Sequence, residues 1–413
     1  MIPYFKCLGE RIERAWLYHS YNEEIFPQLV LNELEQDPPS EQVEVGTIID
    51  WVFGLSQEFV QPNPRTLFGE PPVMLFQAPR FYIEALFWLS GTTAIHEHGF
   101  SGAFAVLAGS SVHSHWRFVP ELTVNSRMLC GRLERVSTEI LRPGRMRPIH
   151  SGSRLIHQLF HLEVPSVTIV VRTYVDRNHL PQYQYLPPGL AIDPEDTDSL
   201  RTRRLMFLDG MVRGQMNGLW DYARRLIDSG DLPTIYYMFS ALTRRKVDKT
   251  PLKDLYGIAR ERHGGIVDLF QQVCEAERRT RIVTSLRSKV SQPEARFLLA
   301  LLMLMPDRDA IFEIIRLQFP GVEPLAAIEM WIEGMSGKET IGFDFNNENR
   351  LIFRSLVEGI DAEGLLQRLR TEFQEGSVDA HRDRLLDHAK KLAKSELFFP
   401  LLSRSPLREA RVA

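Results

Sequence analysis

Apolar residues follow a helical spacing over residues 8 to about 60, as in Arg11-Ile12-Glu13-Arg14-Ala15-Trp16-Leu17 and Ile48-Ile49-Asp50-Trp51-Val52-Phe53. Asp37-Pro38-Pro39-Ser40 interrupts this region, and Gln61-Pro62-Asn63-Pro64 ends it. From about 71 to 176 the period changes. Short runs rich in β-branched and aromatic residues predict strands at Val73 to Phe76, Phe81 to Leu89, Thr92 to His98, Ala103 to Ala108, Ser111 to Phe118, Arg127 to Val136, Thr138 to Leu141, Leu155 to Leu162 and Val167 to Tyr174. Ser90-Gly91, Gly109-Ser110, Arg142-Pro143-Gly144 and Ser151-Gly152 are turn signals between them. Beyond Leu186-Pro187-Pro188-Gly189 the helical period returns and persists to the end. Thr250-Pro251 and Ser291 before Pro293 read as helix starts, and Gly264-Gly265 as a stop. About eight helices are expected between 200 and 396, using the usual mean length of about 11–12 residues.

The pattern predicts an α+β chain. An antiparallel sandwich or jelly roll over 71–180 follows a helical segment (1–70), and a Pro-rich connection (181–199) leads to an all-α region (200–402). Residues 403–413 are expected to be a disordered tail. Ala295 to Met305 and Ala326 to Met335 read as core helices, with no chemical motif in the helical half.

Composition narrows the function classes. A chain of 413 residues with 44% hydrophobic and 25% charged residues is ordinary for a soluble globular protein. A formal net charge of −4 gives no reason to expect nucleic acid or an anionic membrane as partner. The three cysteines, Cys7, Cys130 and Cys274, form no CxxC pair, which suits free thiols in a reducing compartment. With no signal-like N-terminus and no apolar run long enough to span a bilayer, the expected location is the cytoplasm.

Eight of the twelve histidines lie between 96 and 179. His96 and His98 sit at i and i+2 of a strand, so both rings face one way and Glu97 the other. His157 and His161 lie on the second His-rich strand. His96, His98 and His157 are the expected metal ligands, since imidazole suits iron, copper, zinc and nickel. His161 shares the parity of His157 and is expected as an alternative ligand or as a partner supporting one. His113 and His115 are a second HxH pair, expected to face solvent or to support the ligands, and His150 is a rival third ligand placed off the strand. His19, His263, His381 and His388 read as surface groups. Tyr174 and Arg172 share one parity of the last strand and are expected to face the metal. For Arg172, pairing with a substrate anion and pairing with Glu84 or Glu163 both stand.

These segments resemble the two motifs of the cupin superfamily. His96, His98 and Gly109 match the first motif, although its carboxylate position, near Gly102 or Ala103, is empty. Gly152, His157 and His161 match the second. The nearest likeness is to cysteine dioxygenase and its thiol dioxygenase relatives, which bind iron through three histidines. Arg80-Phe81-Tyr82-Ile83 to Phe87-Trp88, then Thr93 to His98, resembles the strands entering that family's first motif. Tyr174 falls where the family keeps its active-site tyrosine. The likeness covers roughly residues 72–176. No cysteine stands near Ala103 for a Cys–Tyr crosslink, Val170 and Arg172 replace the family's serine and histidine, and its carboxylate-clamping arginine has no clear counterpart. The resemblance implies an Fe(II) dioxygenase acting with O₂ on a small anionic substrate other than cysteine. The alternative is a metal- or ligand-binding module without turnover. A homodimer or a protein partner for the helical region is the remaining expectation.

Overall fold

The computed structural model describes residues 1–55, 61, 68–89, 91–175, 180–245, 247–335 and 341–408. Pro62 to Pro64, Ser90 and His179 lie outside the described residues. The chain forms two compact units, residues 1–278 and 279–413, divided within the helix Ile266–Arg287.

The first unit opens with helices α1 (Pro3–Tyr18), α2 (Phe26–Gln36), α3 (Pro39–Gln42) and α4 (Val45–Phe53). Pro3 starts α1 ahead of the region in which the period is legible, because proline is suited to the first helical position. The strands are β1 (Pro72–Gln77), β2 (Phe81–Trp88), β3 (Ile95–His98), β4 (Gly102–Ala108), β5 (Ser111–Asn125), β6 (Met128–Leu141), β7 (Met146–Ile149), β8 (Gly152–His161), β9 (Ser166–Thr173), β10 (Gln184–Leu186) and β11 (Leu190–Ile192). One sheet has the order β1-β2-β9-β4-β7, and the others close as β10-β11-β6-β5-β8-β3. All the strand pairs are antiparallel.

The five-stranded sheet is buried on both faces. Phe81, Ile83 and Ala85 of β2, with Ala103 and Ala105 of β4 and Ile169 and Val171 of β9, share one core with Phe5, Ile12 and Trp16 of α1 and Phe26 and Val30 of α2. The alternate residues Leu86, Trp88, Phe104, Val106 and Val170 join Leu155 and Leu159 of β8 in a second core. Strand alternation places these two sets on opposite faces. That double burial explains why β2 is nearly continuously apolar in sequence.

Three strands escaped the pattern. β7 contains Pro148 and lies at an edge of its sheet, the position where a strand tolerates proline. β10 and β11 fall in the Pro-rich stretch expected to be only a connection, yet they pair with β3 and β6. The two runs expected at 127–136 and 138–141 are one strand, β6, joined to β5 through several register shifts.

The helices following β11 do not begin a separate domain at residue 200. Leu208, Phe239 and Phe270 share a core with Met128 and Cys130 of β6 and Leu190 and Ile192 of β11. The helix Lys249–His263 is capped by Asp248, which accepts from Thr250 N, so it starts just ahead of the expected Thr250-Pro251. Gly264 ends it at φ 74°.

Residues 279–413 form a helical unit. Its helices Pro293–Leu304 and Pro324–Gly334 are largely buried, as their apolar runs predict. Ser405 and Leu407 are buried as well, within the stretch expected to be a tail. Among the described residues no helix is long and apolar enough to cross a membrane.

Candidate metal centre

Between the first sheet and the closed set of strands lies a partly open cavity of about 50 Å³, large enough for a few waters or a very small ligand. It shares Phe68, Trp88, Thr93 and His96 with a larger cleft. Its walls are apolar over Leu86, Trp88, Phe100, Phe104, Leu159 and Val170. His96, His98 and His157 line it with the Arg172 guanidinium and the Glu84 carboxyl.

The histidines arrive by cross-strand register. His96 on β3 is paired with His157 on β8, while a register shift brings His98 opposite Gly152. All three rings are buried, and one ring nitrogen from each lies within 4.8 Å of the others. Ring centroids are 4.7–4.8 Å apart. His157 Nε2 stands 3.3 Å from His98 Nε2. Two nitrogens bound to one ion at about 2.1 Å and at right angles would be about 3.0 Å apart, close to this separation.

Hydrogen bonds orient two of the rings. His96 Nδ1 donates to the Ala94 carbonyl at 2.8 Å, leaving Nε2 as the ring's lone-pair nitrogen. His157 Nδ1 lies 2.9 Å from His113 Nε2. His98 Nδ1 is buried and has no hydrogen-bond partner among the described residues. Burial disfavours the imidazolium, pushing His96 down to about 4 and His98 and His157 well below the ordinary histidine value. The rings are therefore neutral at pH 7, the form that binds metals. Three converging neutral imidazoles fit a first-row transition metal; the unpartnered nitrogen of His98 is Nδ1, and Nε2 is the one that faces His157.

Among the described residues no carboxylate joins the three rings, and at Gly102 and Ala103, where the first motif would place one, the structure gives the reason. A Cβ on Gly102 would lie 1.9 Å from the Val171 carbonyl oxygen, because β4 and β9 approach too closely there for any side chain. Ala103 faces the other way, into the core shared with the N-terminal helices.

Arg172 reaches the cavity as its parity predicts. Its guanidinium lies 3.4 Å from the centre of the Phe100 ring and 3.6 Å from Glu84 Oε1. Glu84, rather than Glu163, is thus its carboxylate partner; Glu163 instead accepts from Ser110 N and Oγ. Arg172 Nε is buried without a hydrogen-bond partner among the described residues.

Tyr174 does not take the expected inward position. β9 ends at Thr173, so strand parity no longer governs the next residue. The ring is 39% exposed and packs on Tyr82, and its hydroxyl donates to the Ala78 carbonyl at 3.1 Å. His161 is also outside the cluster. It is fully buried but stacks on Trp88 with centroids 4.7 Å apart, and its Nδ1 meets Ser111 Oγ at 2.8 Å and Ser166 Oγ at 3.2 Å. His150 lies off the strands, half-buried, and does not join the cluster.

His113 does not face solvent but is fully buried against His157, the supporting place that was one of its two expected roles, and Glu139 is the residue the sequence left unassigned. Glu139 of β6 stands opposite His113 of β5, whose Nδ1 donates to Glu139 Oε1 at 3.2 Å. Burial pushes the Glu139 carboxyl up, but hydrogen bonds from His113 and Arg147 outweigh this and hold it down at about 2. The faint signal was the shared strand parity of His113 and His115, together with a glutamate on the next strand.

No protein-family model matches the chain, and no curated protein does. Among solved structures, the capsular polysaccharide assembling protein CapF from Staphylococcus aureus is similar at 17% identity, covering 32% of this chain and 33% of that one, with a TM-score of 0.23. The present chain thus spans about a third of that protein. Oxalate oxidase is similar at 16% identity over 37% of this chain and 73% of its own, with a TM-score of 0.21. Recombinant oxalate oxidase in complex with glycolate covers 44% and 87%, at the same identity and TM-score. Overlaps this slight do not define a fold, and the architecture rests on its own strand order.

Proposed function

We propose that residues 72–176 belong to a cupin-like jelly roll in which His96, His98 and His157 hold one Fe(II), and that the chain is a non-heme iron dioxygenase acting on a small anionic substrate. The observation that carries this reading is the convergence of three buried, neutral imidazoles in an apolar cavity that also admits a guanidinium. A divalent ion held only by neutral ligands retains its full charge, favours an anionic ligand such as a thiolate, enolate or carboxylate, and supplies electrons for oxygen. The protein contributes the rest. His96 and His157 are pre-oriented by hydrogen bonds, the walls around the rings are largely apolar, and Arg172 offers a charged donor for an anionic substrate. The inner cavity has room for only a few heavy atoms, and it shares Phe68, Trp88, Thr93 and His96 with a larger adjoining cleft of about 820 Å³.

The test is oxygen consumption by protein loaded with Fe(II) under anaerobic conditions, against small thiols, β-dicarbonyls and hydroxy- or carboxylic acids. Uptake that requires both a substrate and His98 supports the dioxygenase. A second reading, a metal- or ligand-binding module without turnover, is favoured by Tyr174, whose hydroxyl is engaged at Ala78 and contributes no proton donor to the cavity. Metal binding with no oxygen uptake across the panel would select it.

A further inference from the structure

We infer that Glu139 and His113 are positioning residues that fix the tautomer of His157 and thereby set the affinity of the three-histidine site for metal. This rests on the metal-binding reading of His96, His98 and His157 and is independent of turnover.

Three consecutive cross-strand pairs build the arrangement. Glu139 of β6 is opposite His113 of β5, His115 of β5 is opposite His157 of β8, and His157 is opposite His96 of β3. Within this band runs a directed chain of hydrogen bonds. An ionised carboxylate only accepts, so His113 Nδ1 must carry the proton shared with Glu139 Oε1 at 3.2 Å. In neutral His113 the other nitrogen, Nε2, is then an acceptor. Its partner at 2.9 Å is His157 Nδ1, which must donate. His157 Nε2 is left with its lone pair, 3.3 Å from His98 Nε2. The opposite tautomer would place a proton on His157 Nε2, within the space the three rings share.

His113, His115 and Glu139 also lie close enough together to hold an ion, but the donors of Glu139 and His113 in this second group are already engaged. Arg147 binds both oxygens of Glu139, and both nitrogens of His113 are engaged. Of the group's buried ring nitrogens, His115 Nε2 has no hydrogen-bond partner among the described residues. Arg147 also balances the charge of Glu139, so the chain acts on the ion through orientation and tautomer rather than through net field. Residues that support a metal ligand in this way typically contribute about 10–100-fold to metal affinity.

The experiment uses the full chain and Co(II), titrated by absorbance in competition with a chelator, together with ¹⁵N NMR of the histidine rings in metal-free protein. The wild-type spectrum should show His157 protonated at Nδ1. His113→Leu should weaken Co(II) binding about 10–100-fold. His113→Gln, whose amide oxygen can accept the same proton, should recover most of that loss. Glu139→Gln should mix the two tautomers of His157 and weaken binding. Circular dichroism of each variant separates these effects from misfolding, and His113→Gln keeps the test alive if His113→Leu fails to fold. A His157 ring protonated at Nε2 in the wild type overturns the inference. So does unchanged Co(II) affinity in His113→Leu when His98→Ala abolishes binding. Wild-type affinity in His98→Ala would instead remove the metal-binding reading, and the inference with it.

Discussion

His96 of β3 lies directly opposite His157 of β8, and that antiparallel pairing joins the two strands that carry the three converging histidines. The i, i+2 spacing then adds His98 to the same cavity.

If these three rings are the ligands, His96→Ala and His98→Ala should each remove the bound metal found by elemental analysis. The wild type should gain about 2.7 kcal/mol of stability when Co(II) is at a hundred times its Kd, and the variants nothing. Chemical denaturation with and without the ion measures the difference. An equal gain in the double variant would exclude these ligands.

Acid should destabilise the metal-free protein through two sets of groups, whose pH ranges meet near 4. His96, His98, His113, His115 and His157 all have folded-state pKa values below the ordinary 6.5, through burial. The unfolded chain therefore binds these protons first, and stability falls as pH drops from 6.5 toward about 4. For His96 alone the shift is worth roughly 3 kcal/mol. Glu139, held down at about 2 against an ordinary 4.5, contributes stability that is present above 4.5 and lost as pH falls through about 2. Urea midpoints across pH 3 to 8 should show the first loss, and bound metal should shift it to lower pH.

Arg172→Met should leave metal content unchanged and weaken binding of small carboxylates. It also strips buried Glu84, whose carboxyl burial already pushes up, of its cation partner. Removing one member of a buried pair typically costs about 3–5 kcal/mol. Adding Glu84→Gln should restore much of that stability but none of the anion affinity. Urea melts and isothermal titration with acetate separate the two effects.

Tyr174→Phe should alter any turnover by less than about threefold, well short of the about 10²–10³ typical of a lost transition-state donor. Its hydroxyl serves the Ala78 carbonyl, so the expected change is a stability loss of about 1 kcal/mol or less. A hundredfold loss of turnover would return Tyr174 to the site.

Gly102→Ala should destabilise the first unit by more than about 3 kcal/mol, because the added methyl meets the Val171 carbonyl at 1.9 Å and backbone must move. Ala103→Gly, on the opposite face, should cost only about 1 kcal/mol in strand propensity and packing. Thermal melts of the two variants test the contrast.

Much of the local order was legible in the sequence because it depends on neighbours along the chain. The helical and alternating periods, the inward pair His96 and His98, and the core helices at 295–305 and 326–335 all follow from residue spacing. Three short or proline-bearing strands did not, since their pairing partners are distant and their own residues carry little signal.

The candidate site shows the same division more sharply. Two histidines at i and i+2 share a face on any strand, so the sequence alone determined that half. Which further histidine joins them was decided by register. His157 meets His96 across β3 and β8, while His161, of the same parity as His157, stacks on Trp88 instead. Tyr174 was lost because β9 ends one residue before it. Glu139 was invisible because its meaning comes from facing His113 across β5 and β6. Periodicity determines which side of its own element a residue faces; only tertiary pairing decides what stands opposite.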